Sequence, residues 1–438
     1  MVSGDQSGAE DRYLVISVDG HVGPPLETFR EYCPAAHLGA LDEQIAAVRA
    51  SWPESGGFAE IAKKAFGYDL DPKVIAAADR VNQVAGGWDP DARRRDMDAD
   101  GIAAEVIFHG LQNGQPLPLV GDGLFAARGA ENSAELDTVG CRIYNRWLAD
   151  FVSGAPHRHA GLAYLPLHDV DLAVAEVEWA REHGLRGVNF PAPRPGVPAL
   201  WDGGLDPLYD ACAQLDMPLT THTGAGRVWF YDDGTLGKAF QMIEGPWVAR
   251  RGVWHLILSG AFERFPRLKL VLTEIFGQWV PEMVRDMDHA FLDPINPPIR
   301  RRLPRLPSEY WEEHCYVGAS MMSRDEALLY PEHGARALMW GSDYPHIEGT
   351  FPYTRLSLQT TFHGLPRESV AAMLGGTAAE AYGFDPEALR PIADAIGPTV
   401  AELAQPPAAE PGDEYIGFAF RESTSWPADS PEALAFRG

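Results

Sequence analysis

The stretch Met339-Trp340-Gly341-Ser342-Asp343-Tyr344-Pro345-His346 ends a short apolar run, Ala337–Trp340, on residues able to bind a metal ion. The same arrangement occurs more than 300 residues earlier, where Tyr13–Val18 runs into Asp19-Gly20-His21. A third instance is Pro218-Leu219-Thr220-Thr221-His222. Parallel barrels collect functional side chains from the C-terminal ends of different strands on one face. Three strand ends that each deliver an imidazole or a carboxylate therefore point to a barrel with a metal site.

Eight segments read as strands: Tyr13–Val18, Ala103–Phe108, His159–Leu165, Gly187–Phe190, Pro218–Thr221, Lys269–Thr273, Cys315–Ala319 and Ala337–Trp340. Each is short, apolar and bounded by polar, Gly or Pro residues, as expected of strands buried on both faces. Between them lie helical stripes. Leu205, Leu208, Tyr209, Cys212 and Leu215 recur at helix spacing, with Asp206 placed to cap the start and Pro207 in the first turn. Val170, Ala173, Val174, Val177 and Ala180 form another, stopped by Gly184. Strand–helix alternation repeated about eight times predicts an α/β fold, a (β/α)8 TIM barrel. A doubly wound open sheet would favour a Gly-rich first turn, where this chain has a histidine and a Pro pair.

The barrel is expected over residues 13–385, with a polar tail at 1–12 and a C-terminal extension at 386–438. A cap insertion at 26–100 follows the first strand, with helical stretches around Asp42–Ser51 and Glu60–Phe66. The extension carries Pro-rich sequence from Gln405 to Pro411, then Tyr415–Arg421. No repeat or long low-complexity tract interrupts the pattern.

Composition narrows the function. A formal charge of −26 over 438 residues argues against nucleic acid, whose phosphates need basic patches, and against anionic membrane surfaces. Cys33, Cys141, Cys212 and Cys315 lie far apart, as in a protein with reduced thiols. The start lacks the basic and apolar regions of a signal peptide, and no apolar run approaches the ~20 residues of a membrane helix. A cytoplasmic protein acting on a small molecule is expected.

Asp19 and His21, two residues apart on extended chain, project to the same side and can bind one ion. With His222 and Asp343 they form the expected ligand set. Glu274, at the end of the sixth strand, is a second candidate acid/base beside Asp343 and His222. His346, His109 and Trp279 are expected to orient ligands or line the pocket. The mixed nitrogen and oxygen donors suit one divalent ion, Zn²⁺ first and Mn²⁺ second, with a position left for water. Such an ion lowers the pKa of bound water towards ~7, and Asp343 can pass protons to and from the substrate.

The chain resembles the amidohydrolase-related branch of the amidohydrolase superfamily, the group that includes aminocarboxymuconate-semialdehyde decarboxylase. The resemblance rests on VDGHVGPP, Met97–Phe108, THTGAG, Ser259–Met283 and Met339–Pro352. It implies a distorted barrel, one divalent ion held by residues matching Asp19, His21, His222 and Asp343, hydrolysis or non-oxidative decarboxylation, and often a homodimer. Asp19 and Glu274 depart from the pattern, standing where the decarboxylases carry a first-strand His or Glu and a sixth-strand histidine. Hydrolysis of a C–N or C–O bond is therefore the first expectation. Decarboxylation or other C–C cleavage of an unsaturated or aromatic acid comes second. A metal-free barrel serving as a binding protein is the alternative from another class, and it requires the four ligands to lie apart.

Overall fold

The computed structural model describes residues 11–51, 72–81, 83–110, 116–120, 133–191, 197–223, 234–295, 297–333 and 336–408. The expected helix at Glu60–Phe66, the segment Tyr415–Arg421 and most of the N-terminal tail lie outside these residues. No described helix is long and apolar enough to cross a membrane.

All eight expected strands form. Strand β1 (Ile16–Ser17) and strand β2 (His21–Val22) are two pieces of one barrel strand, and both pair in parallel with β3 (Ala104–His109). Strands β4 (His159–Tyr164), β5 (Gly187–Asn189), β6 (Leu219–His222), β7 (Leu270–Thr273), β8 (Cys315–Ser320) and β9 (Leu338–Gly341) follow in sequence order, each parallel to its neighbour. Helices lie between most of these strands, as a right-handed parallel crossover requires. The result is a nearly closed (β/α)8 barrel.

Alternation along the strands sorts the core into two layers. Ala104, Val106 and Phe108 of β3 pack with Ile16, Val18, Val271 and Met339 from across the barrel. Ile107, between them in sequence, packs instead with the helices outside. Leu389 and Ala393 of the helix Pro386–Ile396 join the interior group.

The first expected strand does not simply stop before Asp19. It breaks at Val18–Gly20 and resumes at His21, so Asp19 occupies the break. Asp206 is likewise not the cap of its helix: Leu205 takes that position, and the Asp206 carboxylate binds Arg264. The expected stop at Gly184 follows a helix that ends at Glu182, and Gly184 has φ +88°.

The barrel closes through three main-chain hydrogen bonds between the first and last strands. Val18 N donates to Trp340 O at 3.1 Å, Asp343 N to Asp19 O at 3.0 Å, and His21 N to Tyr344 O at 2.6 Å. Gly341 is needed for this approach, because a Cβ there would stand 2.8 Å from Asp19 Cβ and 3.2 Å from Asp19 N. Gly341→Ala is expected to lower the unfolding free energy of the metal-free protein by about 1–3 kcal/mol, the cost of overpacking. Urea unfolding measures it, and an unchanged midpoint would show that the seam can part freely.

Candidate metal centre

The site is assembled from residues whose neighbours fix them before any ligand arrives. Asp19, in the strand break, is fully buried, and its Oδ2 accepts from Ser320 Oγ at the end of β8. Its carbonyl accepts from Ser17 Oγ at 2.8 Å and from Ser342 Oγ at 3.3 Å. Ser342 N donates to Ser17 Oγ at 2.9 Å, so one buried serine cluster ties the first strand to the last. None of Ser17, Ser320 or Ser342 was anticipated, because a serine at a strand end carries no spacing signal of its own.

The two histidines are set in the tautomer a metal ligand needs. His21 Nδ1–H donates to the His109 carbonyl at 3.3 Å, and His222 Nδ1–H donates to its neighbour's carbonyl, Thr223 O, at 2.8 Å. Each bond turns the Nε2 edge of the ring inwards. His21 Nε2 lies 3.1 Å from Asp19 Oδ1 and 3.2 Å from Asp343 Oδ1, and His222 Nε2 lies 3.5 Å from Asp19 Oδ1. His109 thus serves the site through its main chain. Its ring packs edge-on against Tyr144, 5.3 Å away, and burial, with His21 adding, pushes its imidazole down to about 3.

Asp343 follows β9 with φ +56°, and Glu274 follows β7 with φ +58°. Left-handed backbone at non-glycine residues costs of order 1–3 kcal/mol and clusters at functional sites. Of the six such residues among those described, four (Glu274, Phe276, Met321 and Asp343) lie at the C-terminal ends of β7, β8 and β9. His346 Nδ1 stands 2.9 Å from Asp343 Oδ1, and its ring stacks on His21 at 4.0 Å. Glu274 Oε2 is 3.5 Å from His222 Nδ1. Trp279 donates its indole N–H to the Ile275 and Phe276 carbonyls at 3.0 and 2.7 Å, bracing the loop that carries Glu274.

Five atoms decide what the site can hold. Asp19 Oδ1, His21 Nε2, His222 Nε2 and both Asp343 carboxylate oxygens are buried, and the contacts that bring Asp19 Oδ1, Asp343 Oδ1 and the two Nε2 atoms together, with His346 Nδ1, are between imidazole and carboxylate. The five atoms belong to the four residues expected as ligands, and donor atoms of Asp19, His21 and His222 lie within 4.8 Å of one another, as do those of His21, Asp343 and His346. Buried polar atoms are ordinarily satisfied. Two imidazole nitrogens and two carboxylates, linked through His21, are a donor set that suits a divalent cation, and the condition for a metal-free binding barrel, ligands held apart, is not met.

Electrostatics of the cluster set burial against close opposite charges. Burial alone would raise the Asp19 carboxyl, but His222 and His21 hold it well below the usual carboxylate range. Burial opposes ionisation of Asp343 too, and His346 outweighs it despite repulsion from Asp19. Burial would lower His222 and His346, yet Asp19 lifts the first to about 9 and Asp343 lifts the second to about 9. Glu274 is pushed well above its ordinary value by burial, against the pull of His222 and with repulsion from Asp343, Asp19 and Glu348.

Residues 116–384, more than half of the chain, match the sequence family described as Amidohydrolase, and the chain belongs to that family. Within it, the chain is similar to enzymes that remove carboxyl groups. It is 30% identical over 227 residues to the gamma-resorcylate decarboxylase of Rhodococcus jostii, covering 47% of this chain and 65% of that protein. A gamma-resorcylate decarboxylase of a Rhizobium species is 26% identical over 272 residues, 58% of this chain and 76% of the relative. Among solved structures, 5-carboxyvanillate decarboxylase from Sphingomonas paucimobilis shares the fold with a TM-score of 0.57 at 21% identity, covering 85% of this chain and all of that one. A dihydroxybenzoic acid decarboxylase from a Polaromonas species, solved with bound manganese and the inhibitor 2-nitroresorcinol, has a TM-score of 0.55 at 18% identity over 85% of this chain and 97% of its own.

Metal ligation requires His222 to give up the proton it holds up to about pH 9 in the metal-free protein. Mn²⁺ binding near neutral pH should release a proton, and the apparent affinity should rise by about tenfold per pH unit, flattening once His222 is already neutral. Calorimetric titration in buffers of different ionisation enthalpy counts that proton. An affinity independent of pH between 6 and 9 would contradict the assignment.

Proposed function

We propose that this chain is a divalent-metal-dependent, non-oxidative carboxy-lyase acting on an aromatic or unsaturated carboxylic acid, in place of the hydrolase first expected. The observation that carries the metal is the set of buried donor atoms on Asp19, His21, His222 and Asp343 that face one another. What favours decarboxylation is the consistent activity of the relatives, gamma-resorcylate decarboxylases in sequence and carboxyvanillate and dihydroxybenzoate decarboxylases in fold. Manganese, present in two of the similar structures, ranks ahead of zinc as the ion.

The four residues would hold the ion, which supplies Lewis-acid polarisation of the substrate's oxygen atoms. The chain's own work is proton management. Decarboxylation consumes one proton: the carbon bearing the carboxylate gains hydrogen, its bond to the carboxyl carbon breaks with the electron pair returning to the substrate, and CO₂ departs. Asp343 delivers that proton, with His346 Nδ1 2.9 Å behind its Oδ1 to refill it. Glu274, beside His222, is the second acid/base and stands where the related decarboxylases carry histidine.

Arg158 and Arg186 do not serve as anchors for the substrate's carboxylate. Arg158 binds the Ala103 and Ile102 carbonyls, and Arg186 binds those of Gly383 and Pro156. Both sets of acceptors lie away from the strand ends that carry the ligands.

The reaction class is tested by incubating the Mn²⁺-loaded protein with a panel of hydroxybenzoates, 2,6-dihydroxybenzoate included, in D₂O. CO₂ release with one deuterium at the vacated carbon is the expected result. Incorporation of ¹⁸O from labelled water into a cleaved amide or ester, with no CO₂ from any acid, would return the assignment to hydrolysis. On a substrate so identified, Asp343→Asn should fold normally and lose at least ~10²-fold in rate, the lower range for acid–base catalysis. Near-native turnover would remove Asp343 from the proton path.

A further inference from the structure

Arg93, on the helix Pro90–Asp100, is wholly buried, a place a guanidinium occupies only when its N–H groups are engaged. Its Nε and Nη2 grip both carboxylate oxygens of Glu105 on β3 at 2.6–3.0 Å. Glu105 is held from its other side by His159 Nδ1 at 3.1 Å. The remaining arm of the fork points elsewhere: Nη1 donates to the His21 carbonyl at 2.9 Å. The flat face of the guanidinium lies over the Tyr344 ring, 4.0 Å from its centroid.

One side chain therefore touches the main chain of His21 and the ring of the residue after Asp343. These belong to the two segments that meet at the barrel's closing seam, each carrying candidate metal ligands. The same helix makes a second hold, since Tyr344 Oη donates to Asp96 Oδ2 at 2.5 Å. Small residues leave the room: a Cβ on Gly20 would stand 2.6 Å from Arg93 Nη2, and one on Gly86 2.1 Å from Tyr344 Oη.

A buried ion pair is weak support for stability, because well-packed apolar residues of similar size often do as well or better. An apolar side chain could not hold Glu105, the His21 carbonyl and the Tyr344 face together. We propose that Arg93 is a positioning residue for the metal centre, fixing the spacing between the Asp19–His21 segment and the Asp343 loop and so setting affinity for the divalent ion. This rests on the metal reading given above.

Mn²⁺ titration of metal-stripped protein, followed by the electron paramagnetic resonance of free Mn²⁺, tests it. Wild type is compared with Arg93→Lys, with the double variant Arg93→Met/Glu105→Gln, and with Val177→Ala as a destabilised control, a buried residue on the helix Val170–Glu182 between β4 and β5, which carry no candidate ligand. Lysine keeps the charge opposite Glu105 but lacks the fork that also reaches His21. The folded Arg93 variants should bind Mn²⁺ about 10–100-fold more weakly, as when a ligand's supporting partner is lost. Val177→Ala should melt earlier with its affinity unchanged.

Wild-type affinity in a folded Arg93→Lys protein overturns the proposal, as does equal weakening in Val177→Ala. If the double variant does not fold, the lysine variant decides. If neither folds, Arg93 is structural and the proposal fails. A wild-type protein that binds no Mn²⁺ refutes the metal reading itself, a result distinct from any of these.

Discussion

Burial of imidazole and carboxylate donor atoms face to face at the mouth of the barrel is the constraint from which the other features follow. Burying charged groups is costly unless they are paired, and here the pairing is imidazole against carboxylate at 3.1–3.5 Å. A single dication satisfies all of them at once. The rest of the site holds these atoms in place while they face each other: the serine cluster behind Asp19, the carbonyls that fix the two imidazoles, and the strained backbone at Glu274 and Asp343.

The closing seam of the barrel is where these demands concentrate. Two ligands precede it in the chain's first strand, one follows its last, and three main-chain hydrogen bonds join them. Gly341 allows the approach, and Arg93 with Asp96 grips both sides from a helix that the sequence places more than 70 residues after His21. Stability and metal geometry are thus carried by the same contacts, which is why a change at the seam is expected to move both.

Much of this was legible in the residues. Apolar runs ending in Asp-x-His, His and Asp marked the strands and the four residues the fold brings together, because a strand buried on both faces has few other places for a charged residue than its end. The break at Val18–Gly20 was not legible: β1 and β2 together read as one strand with a polar terminus. Nor were Arg93, Ser17, Ser320 and Ser342, since their roles depend on partners tens to hundreds of residues away and their own spacing is unremarkable. His109 was read as a pocket side chain, yet its contact with His21 is through its carbonyl, which no side-chain pattern reports. Asp206 was read as a cap because its type and place suit one, but the pull of Arg264 takes its carboxylate instead.

Glu274 is the point at which chemistry and family diverge. It keeps a proton-carrying group where the resemblance drawn from the sequence implies an imidazole, in surroundings that favour the neutral acid. The proposed reaction therefore keeps its proton donors while changing one of their chemical types. All of it depends on an ion at the centre, which diffraction from crystals grown with Mn²⁺, collected on both sides of the manganese absorption edge, addresses directly. The account predicts one anomalous peak within coordination distance of Asp19 Oδ1, His21 Nε2, His222 Nε2 and an Asp343 oxygen. A peak elsewhere, or none in protein shown to be folded, would contradict it.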